Sequence, residues 1–230
     1  MRLVVLLLFL AFPGAGQAEC RLALALGLDV SGSVDEREYR LQYLGLAAAL
    51  SDDDVQQSIF AIPEAPVALA IYEWSSSTYQ KIVLDWIILR DTETLTAVRT
   101  RLTQWQRGIA PETPGLGQAI AFGRQIFDKA PRCWDQTLDI SGDGKNNDWP
   151  PPKRVRESGA ISDLRINALV IATDQTASEL TAYFQERVIQ GPDAFVEVAL
   201  GYSDYAEAMK RKLLRELEVL AIGSLESKGQ

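Results

Sequence analysis

Histidine is absent from the chain. That absence removes a Ser-His-Asp or Cys-His catalytic apparatus and every histidine-ligated zinc site. Cysteine occurs only at Cys20 and Cys133, and basic residues are in deficit, 23 Lys and Arg against 31 Asp and Glu. Such a balance repels phosphate backbones and argues against a nucleic-acid partner. Internal repeats and low-complexity stretches are also lacking. Long apolar runs are lacking too, with one exception at the N-terminus.

That exception, Leu3 to Phe12, follows Met1-Arg2 and gives way to Pro13-Gly14-Ala15-Gly16-Gln17-Ala18. A basic start, a short apolar run and small residues at Gly16 and Ala18 are the pattern of a secretory signal peptide cut after Ala18. The run is too short to cross a bilayer, although an uncleaved anchor is the alternative. Glu19 separates Ala18 from Cys20, so no lipoprotein is expected. Residues 1–18 are therefore read as a leader and residues 19–230 as one domain of ordinary size. The mature chain keeps 22 basic against 31 acidic residues, a net charge of −9. Export also makes one disulfide the default reading of two cysteines.

Apolar runs alternate with helical patterns, which indicates α/β layering. Strands are expected at 22–30, 67–73, 81–89, 136–140, 166–173 and 194–200, and the second and third are joined by a polar turn too short for a crossover. They should form an antiparallel hairpin. Helices are expected at about 35–50, 92–106, 116–130, 155–162, 176–188 and 203–220. Thr176-Ala177-Ser178-Glu179 reads as a capping box at the start of the fifth. The basic run Lys210-Arg211-Lys212 reads as a solvated helix face.

Chemistry enters at "LGLDVSGSV", residues 26–34. A buried-looking strand ends in oxygen donors at alternate positions, Asp29, Ser31 and Ser33, which can turn toward one point as the backbone leaves a sheet. A hard divalent cation needs such a cluster. The plainer alternative is that Ser31 or Ser33 caps the next helix.

Two further segments match this one. Asp143 follows another apolar strand in "DISGDGKNN", and Thr113 lies in a loop before a helix in "PETPGLGQAI". Together, Asp29, Ser31, Ser33, Thr113 and Asp143 resemble the metal-ion-dependent adhesion site of von Willebrand factor type A domains, in order and over essentially the whole mature chain. Glu73-Trp74-Ser75 resembles a stretch of an uncharacterised bacterial secreted branch of that family.

The resemblance implies a doubly wound three-layer αβα sandwich, its mostly parallel sheet ordered 3-2-1-4-5-6 with strand 3 antiparallel at the edge. Strands one and four then flank the crevice where such sheets bind ligands. Cys20 and Cys133 precede Asp29 and Asp143 by nine and ten residues, so on adjacent parallel strands they lie level at the opposite end, and a Cys20–Cys133 disulfide is expected. Two carboxylates and three hydroxyls suit magnesium or manganese, which keep waters in the remaining positions. One such position takes a carboxylate from a partner protein in the family's adhesion domains, and the resemblance implies the same here.

Around the site, Trp149, Lys145 and Arg154, with Lys153 and Arg156, are candidates for a rim that recognises an acidic partner. The alternative is a proline-stiffened loop with Trp149 packed inward. Asp174, beside the capping box, reads as a helix-start residue. The function implied is an exported binding module, not an enzyme, periplasmic in a Gram-negative bacterium and without stable membrane insertion after leader cleavage. Two other functions stay open: a metal-assisted phosphoester hydrolase using Asp29, and a scaffold that works without metal. Against the first, Ser31 stands where the D-x-D pattern of such phosphatases has its second aspartate.

Overall fold

The structure is a computed structural model that describes residues 19–226. The expected leader, residues 1–18, lies outside the described residues. Among residues 19–226 no helix is long and apolar enough to cross a membrane.

Strand β1 (Cys20–Asp29) is buried along its whole length, as expected of a strand covered on both faces. Leu22, Leu24, Leu26 and Leu28 point to one side and Ala23 and Ala25 to the other. β2 (Val67–Trp74) and β4 (Cys133–Gly142) flank it in parallel, β3 (Gln80–Leu89) pairs antiparallel with β2, and β5 (Arg165–Ala172) and β6 (Val196–Leu200) continue beyond β4. The sheet order is β3-β2-β1-β4-β5-β6.

Helices α1 (Glu36–Ala49), α2 (Asp53–Phe60), α3 (Thr92–Gln104) and α7 (Tyr205–Glu226) cover the leucine face of β1. On the alanine face lie α4 (Leu116–Phe127) and α6 (Ala177–Arg187), with the short α5 (Pro152–Glu157) beside α4. Small residues line that face because Tyr72 crosses it, its hydroxyl donating to the Ala119 carbonyl at 2.8 Å. A Cβ on Gly27 would come within 2.6 Å of the Tyr72 ring, so only glycine fits.

Cys20 and Cys133 are register partners on β1 and β4 and form a disulfide. No free cysteine remains among the described residues.

The expected elements all form, with three differences. Helix α2 was not foreseen; Asp52 caps it by accepting from the Asp54 backbone N–H at 3.0 Å, and only Val55 and Ile59 of it are buried. A helix with so small an apolar stripe leaves little periodic signal. Helix α5 starts earlier than expected, with Pro152 at its first position, where a missing N–H costs nothing. The capping box at Thr176 is absent: the Thr176 hydroxyl accepts from the Thr173 N–H at 3.1 Å, and the Glu179 carboxylate is drawn away to Lys145. Asp174 is exposed, and Thr176, not Asp174, occupies the N-cap position.

Candidate metal centre

The C-terminal ends of β1 and β4 are adjacent, and the chain leaves them for opposite faces of the sheet. This is the position where doubly wound sheets open a crevice. Asp29 ends β1 with its side chain wholly buried, and its Oδ1 accepts the Ser31 backbone N–H at 2.8 Å. That bond curls the backbone so that Ser31 and Ser33 face the same point, their hydroxyl oxygens 3.4 Å apart. From the other strand, Asp143 Oδ1 accepts the Ser33 hydroxyl at 2.6 Å.

Neither serine caps the following helix. Asp35 does, accepting from the Glu38 N–H at 2.8 Å while the Glu38 carboxylate accepts the Asp35 N–H at 2.9 Å. This reciprocal pair satisfies the helix start and frees both serine hydroxyls.

Thr113 reaches the site through its backbone neighbour. The Gly32 N–H donates to the Glu112 carbonyl at 2.9 Å, and a Cβ on Gly32 would lie 2.7 Å from Glu112 Cβ. The loop therefore packs directly on the turn between the two serines. The Thr113 side chain makes no hydrogen bond to the other four residues among those described, so the structure brings four of the five together by side chain and the fifth by its loop. That loop is pinned in turn, because the Gly115 N–H donates to the Ser75 carbonyl at 2.6 Å and the Ser75 hydroxyl to the Pro111 carbonyl.

Three contributors escaped the sequence reading. Tyr202, in a one-turn 3-10 helix (Tyr202–Asp204), is buried and donates its hydroxyl to Asp143 Oδ2 at 3.2 Å. Gln42 Nε2 holds the Asp29 carbonyl at 2.9 Å, and the Arg107 guanidinium holds the Val34 carbonyl at 2.7 Å. Tyr202 and Arg107 lie 59 and 73 residues from the groups they hold and Gln42 only 13, on the next helix, yet no local motif signals any of them; the one available cue was Gly201, at φ 79°, turning the chain after the last strand.

The electrostatics favour a cation. Asp29 Oδ2 is buried without a hydrogen-bond partner, and a Cβ on Gly142 would be 3.4 Å from it. Burial first, and the Asp143 charge second, push the Asp29 carboxyl up to about 8, against the opposing effect of the Ser31 hydrogen bonds. The same burial and carboxylates raise the Tyr202 hydroxyl far above the phenol range, so it stays a donor. An orphaned oxygen beside a second carboxylate and two serine hydroxyls that cap no helix is a donor set that a hard divalent ion satisfies. Only two carboxylates converge, and no group of three or more His, Cys, Asp or Glu side chains is found among the described residues.

The loop after Asp143 rises beside this cluster. Asn147 and Asp148 tie it down, the first through its N–H to the Pro114 carbonyl at 2.9 Å and the second by accepting the Ser77 N–H at 2.7 Å. Trp149 is not packed inward; it is 61 % exposed, and the Arg154 guanidinium lies 4.9 Å from its ring centroid. Lys145 is already paired with Glu179, and Lys153 lies 3.6 Å from Glu157. Arg156 donates to the Glu186 carbonyl at 3.0 Å. Of the basic rim candidates, Arg154 and Arg156 have no carboxylate partner among the described residues, and Arg154 is the one that lies over Trp149.

Fold and strand order together are those of a von Willebrand factor type A-like α/β fold. The chain belongs to the family described as "Protein of unknown function (DUF1194)", whose model matches residues 19–221. Among solved structures, proximal thread matrix protein 1 from the mussel byssus, with a zinc-occupied MIDAS motif, is similar at 13% identity and a TM-score of 0.60, over 86% of this chain and 46% of that one. The pilus adhesin SpaC from Lactobacillus rhamnosus GG is similar at 13% identity and a TM-score of 0.59, over 89% of this chain and 31% of that one. A von Willebrand factor type A protein from Catenulispora acidiphila is similar at 14% identity and a TM-score of 0.58, over 86% of this chain and 43% of that one. The chain thus spans less than half the length of each, and identities this low establish the fold alone. No curated protein matches the chain.

Proposed function

We propose that this chain is an exported, metal-ion-dependent protein-binding module, periplasmic in a Gram-negative bacterium, which takes an Asp or Glu carboxylate of a partner protein. Residues 1–18 act as the leader, and Asp29, Ser31, Ser33, Thr113 and Asp143 hold magnesium or manganese. The observation that carries this reading is the buried, partnerless Oδ2 of Asp29 beside Asp143 and two serine hydroxyls that cap nothing.

A bound divalent cation supplies a positive centre able to accept one more carboxylate oxygen. The chain's own residues do the rest. Asp29 and Asp143 supply the charge, Ser31 and Ser33 supply neutral oxygens, and Tyr202 and Gln42 hold Asp143 and the Asp29 backbone in place. Trp149 with Arg154 above its ring offers an exposed aromatic and a free cation at the rim, a combination suited to an acidic partner. The similar adhesin and matrix proteins support a binding role over a hydrolytic one.

Calorimetric titration of magnesium and manganese into the mature protein tests the reading. Saturable binding in the wild type, lost in folded Asp29→Ala and Ser31→Ala/Ser33→Ala proteins, supports it. Binding that survives these substitutions overturns the assigned ligands, and wild-type binding of neither ion, alone or with acetate added as the partner's carboxylate, overturns the cation.

A further inference from the structure

Beneath α7, against the middle of β4, three ionisable side chains are shut away together. Lys212 is 0 %, Asp139 1 % and Glu216 3 % exposed. The expectation that Lys212 belongs to a solvated helix face is thereby corrected: it points inward, to the middle of β4. Its Nζ lies 2.8 Å from Asp139 Oδ2 and 2.5 Å from Glu216 Oε1. The Asp139 contact lacks hydrogen-bond alignment, and Asp139 Oδ1 and Glu216 Oε2 have no partner among the described residues. Asn167 Nδ2 donates to Glu216 Oε1 at 3.1 Å, and the Phe195 ring centroid sits 4.7 Å from Lys212 Nζ.

One ammonium and two carboxylates leave a buried charge of −1, which an apolar interior does not tolerate. One proton on a carboxylate removes it. Asp139 is the natural holder: burial, with the Glu216 charge adding and Lys212 opposing, pushes it up to about 7. The neutral set is then an amine-bearing side chain against a carboxylic acid, with a carboxylate in hydrogen-bond contact to shuttle protons, shut off from bulk solvent. Those are the components of an amide condensation.

We propose that Lys212 and Asp139 join through an intramolecular isopeptide bond, with Glu216 as the proton shuttle. Burial lowers and the two carboxylates raise the Lys212 affinity for its proton, and the carboxylates prevail, so the amine is freed only by direct transfer from Nζ to Glu216 Oε1. The Nζ lone pair then attacks Asp139 Cγ, which lies no more than one C–O bond beyond Oδ2, and the new C–N bond forms. Glu216 returns its proton to the departing hydroxyl, the C–O bond breaks and one water leaves. The surplus proton on nitrogen passes to Glu216, which ends protonated. No oxidant, reductant or cofactor enters the balance. Holding the groups in contact supplies the effective concentration that free amines and acids lack in water, and the product is neutral where the reactants were a buried ion network.

Mass spectrometry of the full chain decides it. After reduction and tryptic digestion, residues 133–145 and 212–215 are expected as one joined species, lighter than the two peptides' sum by one water, with cleavage after Lys212 blocked. Glu216→Gln should slow its formation by about 100-fold, the usual scale of positioned acid–base help, and Lys212→Met should abolish it. Separate peptides with free cleavage after Lys212 in the wild type overturn the proposal whatever the variants do. A joined species that has lost ammonia and contains Asn167 overturns it equally.

Discussion

Ser33 Oγ and Asp143 Oδ1 stand 2.6 Å apart across 110 residues of chain. This bond links the two halves of the candidate site before any ion is considered, and it orients Asp143 for one. Ser33 is exposed and packs little, so Ser33→Ala should leave the fold intact. Losing a hydrogen bond to a charged group is worth roughly 1.5–3 kcal/mol, so magnesium or manganese affinity should fall by about tenfold or more. Isothermal titration of the two proteins side by side reads this directly.

The cation-free protein should lose stability as pH rises. Folding lifts the Asp29 carboxyl from 3.8 to about 8, so the folded state keeps a proton that the unfolded chain releases. That contribution is complete below about pH 4 and is lost progressively as pH rises toward 8. Chelator-treated protein should therefore melt at lower temperature at pH 8 than at pH 5. Saturating magnesium should lessen this slope, and Asp29→Asn should do so without metal. A wild-type melting temperature independent of pH in chelator would contradict the account of Asp29.

Glu73 predicts a different loss. Its buried carboxylate accepts the hydroxyls of Tyr43 at 2.8 Å, Tyr39 at 3.2 Å and Tyr79 at 2.7 Å, and the Trp105 indole N–H at 3.1 Å. An acceptor-only group is what four donors require. Glu73→Gln places an amide NH2 among them and should cost about 2–3 kcal/mol in denaturant unfolding. Cation binding should survive in the folded fraction, because Glu73 lies on the α1 face of β2 and not at the crevice.

Removing the disulfide should be costly and separable from function. Cys20 and Cys133 are 113 positions apart in the sequence, a loop for which chain entropy gives about 4–5 kcal/mol. A Cys20→Ser/Cys133→Ser protein, measured in urea against the wild type, should show that deficit. Its magnesium affinity, measured where it is fully folded, should be unchanged, since the bond sits at the far end of the strands that carry Asp29 and Asp143.

Much of this was legible because the strands are covered on both faces. β1 and β2 read as unbroken apolar runs, and the short turn at 75–78 could only make a hairpin. The alternation of Asp29, Ser31 and Ser33 marked the site because polar residues at the end of a buried strand need a reason. What stayed hidden depends on distant partners. Glu179 is three residues from Thr176 and satisfies the capping pattern, yet Lys145, from another loop, takes its carboxylate. Lys212 sits in a basic run that looks solvated, and only the acidic residue in the middle of β4 draws it inside. Tyr202 carries no motif at all and is brought to Asp143 by the turn at Gly201.

The staple between Cys20 and Cys133 has a mechanical meaning. With β1 and β4 in register from that bond upward, the two strands cannot slide past each other, and the Asp29–Asp143 gap can change only by splaying at its open end, as tweezers do. Under the proposed function, ions of different radius would then be accommodated by side-chain rotation at Asp143, Ser31 and Ser33 rather than by strand shift. The tether thus makes the sheet a rigid gauge and leaves the fitting to the loops.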